Sequence, residues 1–206
     1  MPKSYHHGEL RPALINAAIA LITEKQDTKT ISLREVARRV GVSQAAPYRH
    51  FADKEALLAA VAEQGFQILT QELEASIAKV APNPLEQLQA SGIAYVQFAI
   101  AHPAHYRVMF SALRPGNPNY PELNQAGNAA FGVMVTAIAQ GQAQGNTKPG
   151  EPRSLAIVAW SLVHGLAMLL IEGQLTLPTE AEQANLIALV TRSLVYGLQA
   201  ESSVQR

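Results

Sequence analysis

The 206-residue sequence contains no cysteine, which excludes a disulfide scaffold and any thiolate metal site. No basic segment followed by an apolar run opens the chain, so we expect no signal peptide. Only 16% of the residues are charged, whereas 48% are hydrophobic. This imbalance predicts a large apolar core and further apolar surface buried between subunits. Signals for β-strands are missing as well, which favours an all-α protein.

The sequence also has few features of an enzyme. No aspartate follows Asp53, and no Gly-x-Ser-x-Gly segment surrounds Ser161, so Ser161 and His164 form a poor nucleophile and base pair. His102 and His105 are three residues apart but have no carboxylate at ligand spacing. We therefore expect no catalytic residue, no metal site and no cofactor. An esterase-like enzyme, with a glutamate orienting the histidine, is the weakest alternative.

The net charge of zero is divided unevenly along the chain. Residues 1–54 hold 9 Lys and Arg against 5 Asp and Glu, and residues 55–206 hold 7 against 11. A basic head on an acidic body directs the correct end of a protein toward phosphate groups. The charge distribution therefore favours a nucleic-acid partner for the first part of the chain.

The segment SLREVARRVGVSQAAPYRHFADK, residues 32–54, predicts two short helices with a tight turn between them. Ser32 and Glu35 have the spacing of a capping box, and Gly41 supplies the left-handed residue that ends the first helix. Ser43 can cap a second helix that runs through residues 48–51, and Asp53 can cap a third. This is the helix-turn-helix pattern, whose second helix enters the major groove of DNA.

The polar side chains outside this small core suit DNA. They are cationic at Arg34, Arg38, Arg39, Arg49, His50 and Lys54, and neutral at Ser43, Gln44 and Tyr48. Spacing alone does not separate this interpretation from the solvated face of an ordinary helical hairpin.

The residues carry a more specific signal than their spacing. The run GVSQAAPYRHFADKEALL, preceded by ISLREVARR, resembles the DNA-binding signature of the TetR/AcrR family of transcriptional regulators. The matched positions are Gly41, Val42, Ser43, Tyr48, His50, Phe51, Lys54, Glu55 and Leu57. The resemblance covers roughly residues 10–69. It implies an all-helical homodimer with a helix-turn-helix head, residues 1–54, and a ligand-binding and dimerisation body, residues 55–206.

The resemblance also implies which residues contact double-stranded DNA. Tyr48, His50 and Lys54 match positions that face phosphates, and Ser43 belongs to the same surface. Gln44, Ala45, Ala46 and Arg49 would face bases, and Arg34 would face either phosphates or bases.

Pro47 departs from the family pattern, which usually has leucine there. Proline lacks the N–H that would make the first intrahelical bond after a Ser43 cap. The second helix is therefore expected to start late or as a 3₁₀ turn. The alanines before Pro47 suit thymine methyl groups better than hydrogen-bonded bases.

Beyond the head, the pattern predicts a connecting helix from residue 53 to about residue 80 and further helices to about residue 199, about nine in all. Residues 155–171 are apolar enough to suggest a membrane span, but Ser161 and His164 interrupt them. We expect this helix to be buried in a core or between subunits, and we expect no membrane partner.

The segment Trp160-x-x-x-His164-Gly165 resembles a signature of one C-terminal subgroup of the family. In the family, the last two long helices form a four-helix bundle across the twofold axis, so we expect a homodimer with Leu194 in its seam.

The low charge of residues 91–110 and 155–171 predicts an apolar pocket for a small hydrophobic effector. Candidate lining residues are Tyr95, Phe98, His105, Tyr106, Met109, Phe131, Trp160 and His164. The sequence is thus interpreted as a cytoplasmic, ligand-responsive repressor that binds a palindromic operator. The main alternative is a helical ligand-binding or scaffolding protein without specific DNA binding.

Overall fold

The computed structural model describes residues 9–111 and 116–199, which form eight α-helices and one 3₁₀ helix. This confirms the all-α prediction of about nine helices. Within the described ranges the only extended pairing is an isolated bridge between Thr147 and Gln199. In chain order the elements are α1 (Leu10–Lys25), α2 (Leu33–Val40), the 3₁₀ helix (Ala46–Arg49), α3 (Lys54–Ile77), α4 (Pro84–Ala101), α5 (Pro103–Ser111), α6 (Pro121–Ala143), α7 (Pro152–Ile171) and α8 (Glu180–Leu198).

Backbone packing divides the chain into two compact units. We call residues 1–67 with 102–127 the N-terminal unit, and residues 68–101 with 128–206 the C-terminal unit. The division passes within α3 and α6, and it assigns α5 to the same unit as the helix-turn-helix segment. The boundary at residue 54 stays a prediction, and the two predicted domains extend beyond the described residues at both ends.

The core of the N-terminal unit forms where α1 packs against α2 and α5. Side chains that are fully enclosed there include Leu14, Ala18, Ile22, Val36, Ala37, Leu57 and Val61. Phe51 closes this core, and the guanidinium carbon of Arg11 lies 5.5 Å from the centre of its ring. The faces of α1 and α2 that were expected to be apolar are thus the buried faces.

The connecting helix is shorter than the predicted span to about residue 80, because α3 ends at Ile77. The chain tightens as the helix ends. The Lys79 amide bonds to the Ser76 carbonyl and the Val80 amide to the Ile77 carbonyl, three residues back in each case. Such i→i+3 bonds are common where a helix ends. The change precedes Pro82, which cannot donate a helical hydrogen bond.

In the C-terminal unit, α4 packs against both α7 and α8, and α7 also packs against α8. Helix α8 begins with a complete capping box. The Thr179 hydroxyl oxygen accepts the Glu182 amide, and the Glu182 carboxylate accepts the Thr179 amide. The buried hydroxyl of Thr191 donates to the Ile187 carbonyl at 2.8 Å. The end of α8 is fixed by a bond from the Lys148 amide to the Leu198 carbonyl.

Candidate nucleic-acid interface and ligand residues

The first helix of the helix-turn-helix segment is bounded as the sequence predicts. The Ser32 hydroxyl oxygen accepts the Glu35 amide at 3.2 Å, and Gly41 has φ +81° with its N–H bonded to the Ala37 carbonyl. The Glu35 carboxylate does not return to the Ser32 amide. It pairs with the Lys25 ammonium at 2.7 Å and thereby ties α2 to the end of α1.

The second helix is a single 3₁₀ turn over Ala46–Arg49, and the predicted Ser43 side-chain cap is wrong. Pro47 has no N–H for an i→i−4 bond, so the Ser43 carbonyl accepts the Ala46 amide at 3.0 Å, three residues on. The Pro47 carbonyl then accepts the amides of His50 and Phe51, both at 2.9 Å. Pro47 is buried, so it packs in the core where the family usually has leucine.

The third helix begins as predicted, because the Asp53 carboxylate accepts the Ala56 amide at 2.8 Å. The Lys54 ammonium donates to the Lys29 carbonyl at 2.6 Å, which ties the loop after α1 to the start of α3. Burial lowers the pKa of Lys54. This predicted phosphate-facing residue is therefore engaged within the N-terminal unit.

Most candidate DNA-contacting residues lie on the surface around the 3₁₀ helix. Tyr48 is 51% exposed although it is aromatic. Exposed with it are Arg34, Ser43, Gln44, Ala45, Arg49 and His50, while Ala46 and Lys54 are half-buried. An open groove runs beside this surface and is lined by Ser32, Arg34, Glu35, Arg38, Val42 and Gln44. The structure thus leaves most of the predicted DNA-contacting side chains exposed, and two of them, Arg34 and Gln44, line one groove.

The arginines of this region differ in their partners. Arg39 forms a two-point contact with the Glu24 carboxylate, which raises the pKa of Arg39 and braces α1 against α2. Arg38 lies 3.8 Å from Glu35 and is mostly exposed. Within the described residues no ion pair engages Arg34 or Arg49, so their guanidinium groups are available to phosphates or bases.

Four of the eight candidate ligand residues form a chain of contacts in the C-terminal unit. The Trp160 indole N–H donates to the Tyr95 hydroxyl at 2.9 Å, and that hydroxyl lies 3.1 Å from His164 Nδ1. The Trp160 ring lies 5.2 Å from the His164 ring and 6.3 Å from the Phe131 ring. We call Tyr95, Phe131, Trp160 and His164 the aromatic cluster.

One donor in this cluster is fixed by its chemistry. Indole N–H can only donate, so the Tyr95 hydroxyl oxygen accepts from Trp160. Burial lowers the pKa of His164, which favours the neutral imidazole beside that hydroxyl.

The other candidates are placed differently. His105, Tyr106 and Met109 belong to α5 in the N-terminal unit, and Phe98 is fully buried in α4. The Tyr106 and Phe110 rings are 4.8 Å apart, and the Phe110 and Phe66 rings are 5.7 Å apart. The eight residues thus belong to two different units.

Sequence reasoning missed Gln64 on α3. Its Oε1 atom is buried without a hydrogen-bond partner, as is His105 Nε2, among the described residues. Burial and the neighbouring His102 lower the pKa of His105 to about 4, so His105 is neutral at neutral pH. A glutamine within a long amphipathic helix gives no sequence signal of this kind. In the same ranges, no group of three or more His, Cys, Asp or Glu side chains is placed to hold a metal.

An apolar surface lies on α7 and α8. Its exposed large hydrophobic residues are Ile157, Val158, Leu162, Leu169, Leu189 and Tyr196. Leu194, by contrast, is only 5% exposed and packs within its own subunit, so its predicted place in an intersubunit seam is wrong. Helical periodicity identified α8 as amphipathic but not which apolar residues face inward.

By length and composition, α7 is the one helix in the described ranges that is apolar enough to cross a membrane, with 28% of that window buried. The aromatic cluster ties one side of α7 to α4. Its other side carries the exposed apolar residues.

Two family models match the sequence. Residues 14–61 match a model described as bacterial regulatory proteins of the tetR family, and residues 88–198 match one described as a tetracyclin repressor-like C-terminal domain. No curated protein matches the sequence.

Solved structures share the fold over nearly the whole chain. A protein of unknown function from Rhodococcus sp. RHA1 is 34% identical, with a TM-score of 0.79 over 95% of this chain and 98% of that one. The fatty acid degradation regulator FadR from Bacillus halodurans is 15% identical, with a TM-score of 0.75 over 94% and 98% of the two chains. AibR, solved with isovaleryl coenzyme A and operator DNA, is 18% identical, with a TM-score of 0.68 over 91% and 97%.

Proposed function

Because the chain belongs to the TetR family of bacterial regulatory proteins, we propose that it is a ligand-responsive repressor that binds a palindromic operator as a homodimer. Membership of the family makes it a DNA-binding transcriptional regulator and not an enzyme. Repression, the symmetry of the operator and the response to a ligand are the parts that we add. Such a protein acts in the cytoplasm, where its operator is accessible.

The observation that carries the proposal is the exposed surface around the 3₁₀ helix. Gln44, Tyr48 and Arg49 project there from a backbone that Gly41 and Pro47 hold in place. Arginine and glutamine are the side chains that most often read guanine and adenine edges in the major groove. In this proposal Arg49 and Gln44 read bases, while Tyr48, His50 and Lys54 contact phosphates.

The short recognition element favours a particular kind of site. Ala45 is exposed and Ala46 half-exposed at its leading edge, and neither has a polar group for base hydrogen bonds. Methyl groups contact the C5-methyl of thymine favourably. We therefore expect thymines opposite these alanines in each half-site.

The exposed apolar stripe on α7 and α8 supports a homodimer. Val158, Leu162, Gly165 and Leu169 are spaced four, three and four residues apart, which is the period of a packed helix pair. A Cβ on Gly165 would have no atom within 4 Å in the subunit, which leaves the space open for a partner helix. In α8, Leu189 and Tyr196 are 60% and 67% exposed and continue the stripe. Twofold packing of α7 and α8 would present two heads to half-sites about 34–36 Å apart.

The ligand response is proposed from the apolar interior and its few polar groups. AibR, which shares the fold, was solved with both isovaleryl coenzyme A and operator DNA. By the same logic this chain would bind a small, mainly hydrophobic effector, and the aromatic cluster would supply oriented hydrogen bonds. A coupling of about 1–3 kcal/mol between effector and operator is typical of such switches.

A gel shift on the promoter beside the gene for this protein tests the proposal. We expect a specific complex whose affinity falls steeply with salt, and a reporter on that promoter that is repressed by the intact protein. Equal affinity for promoter and unrelated DNA would instead favour the scaffolding alternative.

A further inference from the structure

Two neighbouring arginines of α2, Arg38 and Arg39, are held very differently. Arg39 makes a two-point contact with the Glu24 carboxylate and so braces α2 against α1. The Arg38 side chain is 80% exposed, and its Nη2 atom lies 3.8 Å from a Glu35 carboxylate oxygen. A hydrogen bond between such charged groups is about 2.7–2.9 Å long, so this contact is only a loose ion pair. Arg39 is therefore committed to the fold, whereas Arg38 is not.

The carboxylate beside Arg38 is already neutralised by another cation. Glu35 Oε2 lies 2.7 Å from Lys25 Nζ, and Arg38 approaches the other oxygen, Oε1. The Lys25 ammonium also donates to the Thr30 carbonyl at 3.4 Å, which fixes it near the end of α1. Exposed ion pairs that lack a hydrogen bond contribute little to stability. Turning Arg38 away from Glu35 toward a stronger anion therefore costs the fold little.

Arg38 lines the open groove that Arg34 and Gln44 also line. Arg34 and Arg38 are four residues apart, which places them on adjacent turns of one face of α2. Gln44 lies just before the 3₁₀ helix, the element proposed to read bases. The groove thus joins two guanidinium groups to a proposed base-reading residue.

The place of α2 in the helix-turn-helix determines which part of DNA this groove meets. When the second helix of the motif lies in the major groove, the first helix crosses the sugar–phosphate backbone. Helix α2 is that first helix, so a side chain on the face that shares a groove with Gln44 is directed to the backbone. Guanidinium groups match the geometry of phosphate with two parallel hydrogen bonds.

We propose that Arg38 is a further DNA-contacting residue, which binds a phosphate of the DNA backbone in this groove, beside Arg34. The proposal rests on the proposed function, because it takes DNA as the ligand and α2 as the helix that crosses the backbone. It adds a phosphate contact outside the 3₁₀ helix. Arg38 then strengthens binding to DNA of any sequence without reading a base pair.

The test measures the binding of the full chain to two duplexes, the promoter fragment and one of unrelated sequence, as the salt concentration rises. Each phosphate contact contributes about 0.9 to the slope of the logarithm of the binding constant against the logarithm of the salt concentration. When salt rises from about 50 to 200 mM, Arg38→Ala should therefore lose about threefold less affinity per subunit than the wild type does. We expect this on both duplexes.

Two further variants separate a phosphate contact from a structural role. Arg38→Lys keeps the charge and should keep the salt dependence. Arg39→Ala removes the same charge one residue later and is the matched control. Because Glu24 holds Arg39, that variant should keep the salt dependence of the wild type and melt at a lower temperature. Arg38→Ala should show the opposite pattern, with a reduced salt dependence and an unchanged melting temperature.

Single uncharged methylphosphonates, placed one at a time along the promoter fragment, locate the contact. The phosphate that Arg38 binds should be a position where the substitution weakens the wild type but not Arg38→Ala. Such a position shows that the side chain and the phosphate act as a pair.

An unchanged salt dependence in Arg38→Ala overturns the proposal, as does an equal reduction in Arg39→Ala, which would indicate a general effect of charge. A loss of affinity confined to the promoter fragment would show that Arg38 reads a base, and it also overturns the proposal. Equal affinity of the wild type for the two duplexes contradicts the proposed function instead. The salt dependence on either duplex still tests the phosphate contact, so the two failures are distinguishable.

Discussion

The Lys54 ammonium lies 2.6 Å from the Lys29 carbonyl oxygen, so the residue expected to contact phosphate also ties a loop to the start of α3. Lys54→Ala should therefore have two effects. We expect it to weaken binding to all DNA sequences. The slope of the logarithm of the binding constant against the logarithm of the salt concentration should fall by the amount that corresponds to about one phosphate contact per subunit. It should also lower the free energy of unfolding by about 1 kcal/mol through the lost hydrogen bond.

Salt titrations of DNA binding and urea unfolding measure the two effects separately. Lys54→Arg keeps the charge and serves as the control, with a salt dependence near that of the wild type. An unchanged salt dependence in Lys54→Ala would show that Lys54 has a structural role alone.

The side chains at the 3₁₀ helix should determine which sequence is bound. Gln44→Ala and Arg49→Ala should each cost about 1–3 kcal/mol on the operator and much less on random DNA. Each loss should map to particular base pairs when operator variants are compared by fluorescence anisotropy. Lys79→Ala, which removes an exposed positive charge just after α3 and outside the proposed seam, is the matched control and should change neither affinity. Equal losses on operator and random DNA would contradict base reading by these residues.

The dimer should depend on residues that are exposed in the single subunit. Leu189→Glu places a charge on the proposed seam without disturbing the subunit core, because Leu189 is 60% exposed. We expect monomers in sedimentation experiments, normal helical circular dichroism and loss of operator binding. Leu194→Glu should instead unfold the subunit, since Leu194 is buried. A wild-type protein that is monomeric at micromolar concentration would refute the assignment.

Acid should destabilise the protein through His105. Its pKa is lowered to about 4 from the usual 6.5 by burial and by the nearby His102, so between these values the unfolded chain binds more protons than the folded one. Stability should therefore fall as the pH drops from 6.5 toward 4, by up to about 1.4 kcal/mol per pH unit. Urea unfolding across this range should show a smaller slope for His105→Phe. An equal slope in that variant would contradict the assignment; some slope should persist because burial also lowers the pKa of His164.

Local signals in the sequence predicted the head well. Ser32 and Gly41 bound α2 as expected, and Pro47 predicted that the recognition element would start late or as a 3₁₀ turn, of which the structure has the second. The same proline invalidated the Ser43 cap, because the Ser43 carbonyl bonds three residues on instead. Local rules succeed here because the bonds that decide these ends join residues no more than a few positions apart.

Features that depend on distant residues could not be predicted. The partner of Lys54 is a carbonyl 25 residues earlier in the chain, and the bonds of Tyr95 to Trp160 and His164 span more than 60 residues. The close approach of α5 to Gly65 involves His105 and Met109, at least 40 residues later in the chain, which sequence periodicity does not describe. Periodicity likewise marked α8 as apolar without separating inward Leu194 from outward Leu189.

A hydroxyl-radical footprint on the operator tests the central claim most directly, because it reports both specific binding and the symmetry of the bound protein. Two protected segments related by a twofold axis, with centres one helical turn or about 34–36 Å apart, are the predicted result, and Arg49→Ala should remove both together. Protection that is absent in the presence of excess unrelated DNA, or limited to a single segment, would contradict a dimeric repressor that reads a palindrome.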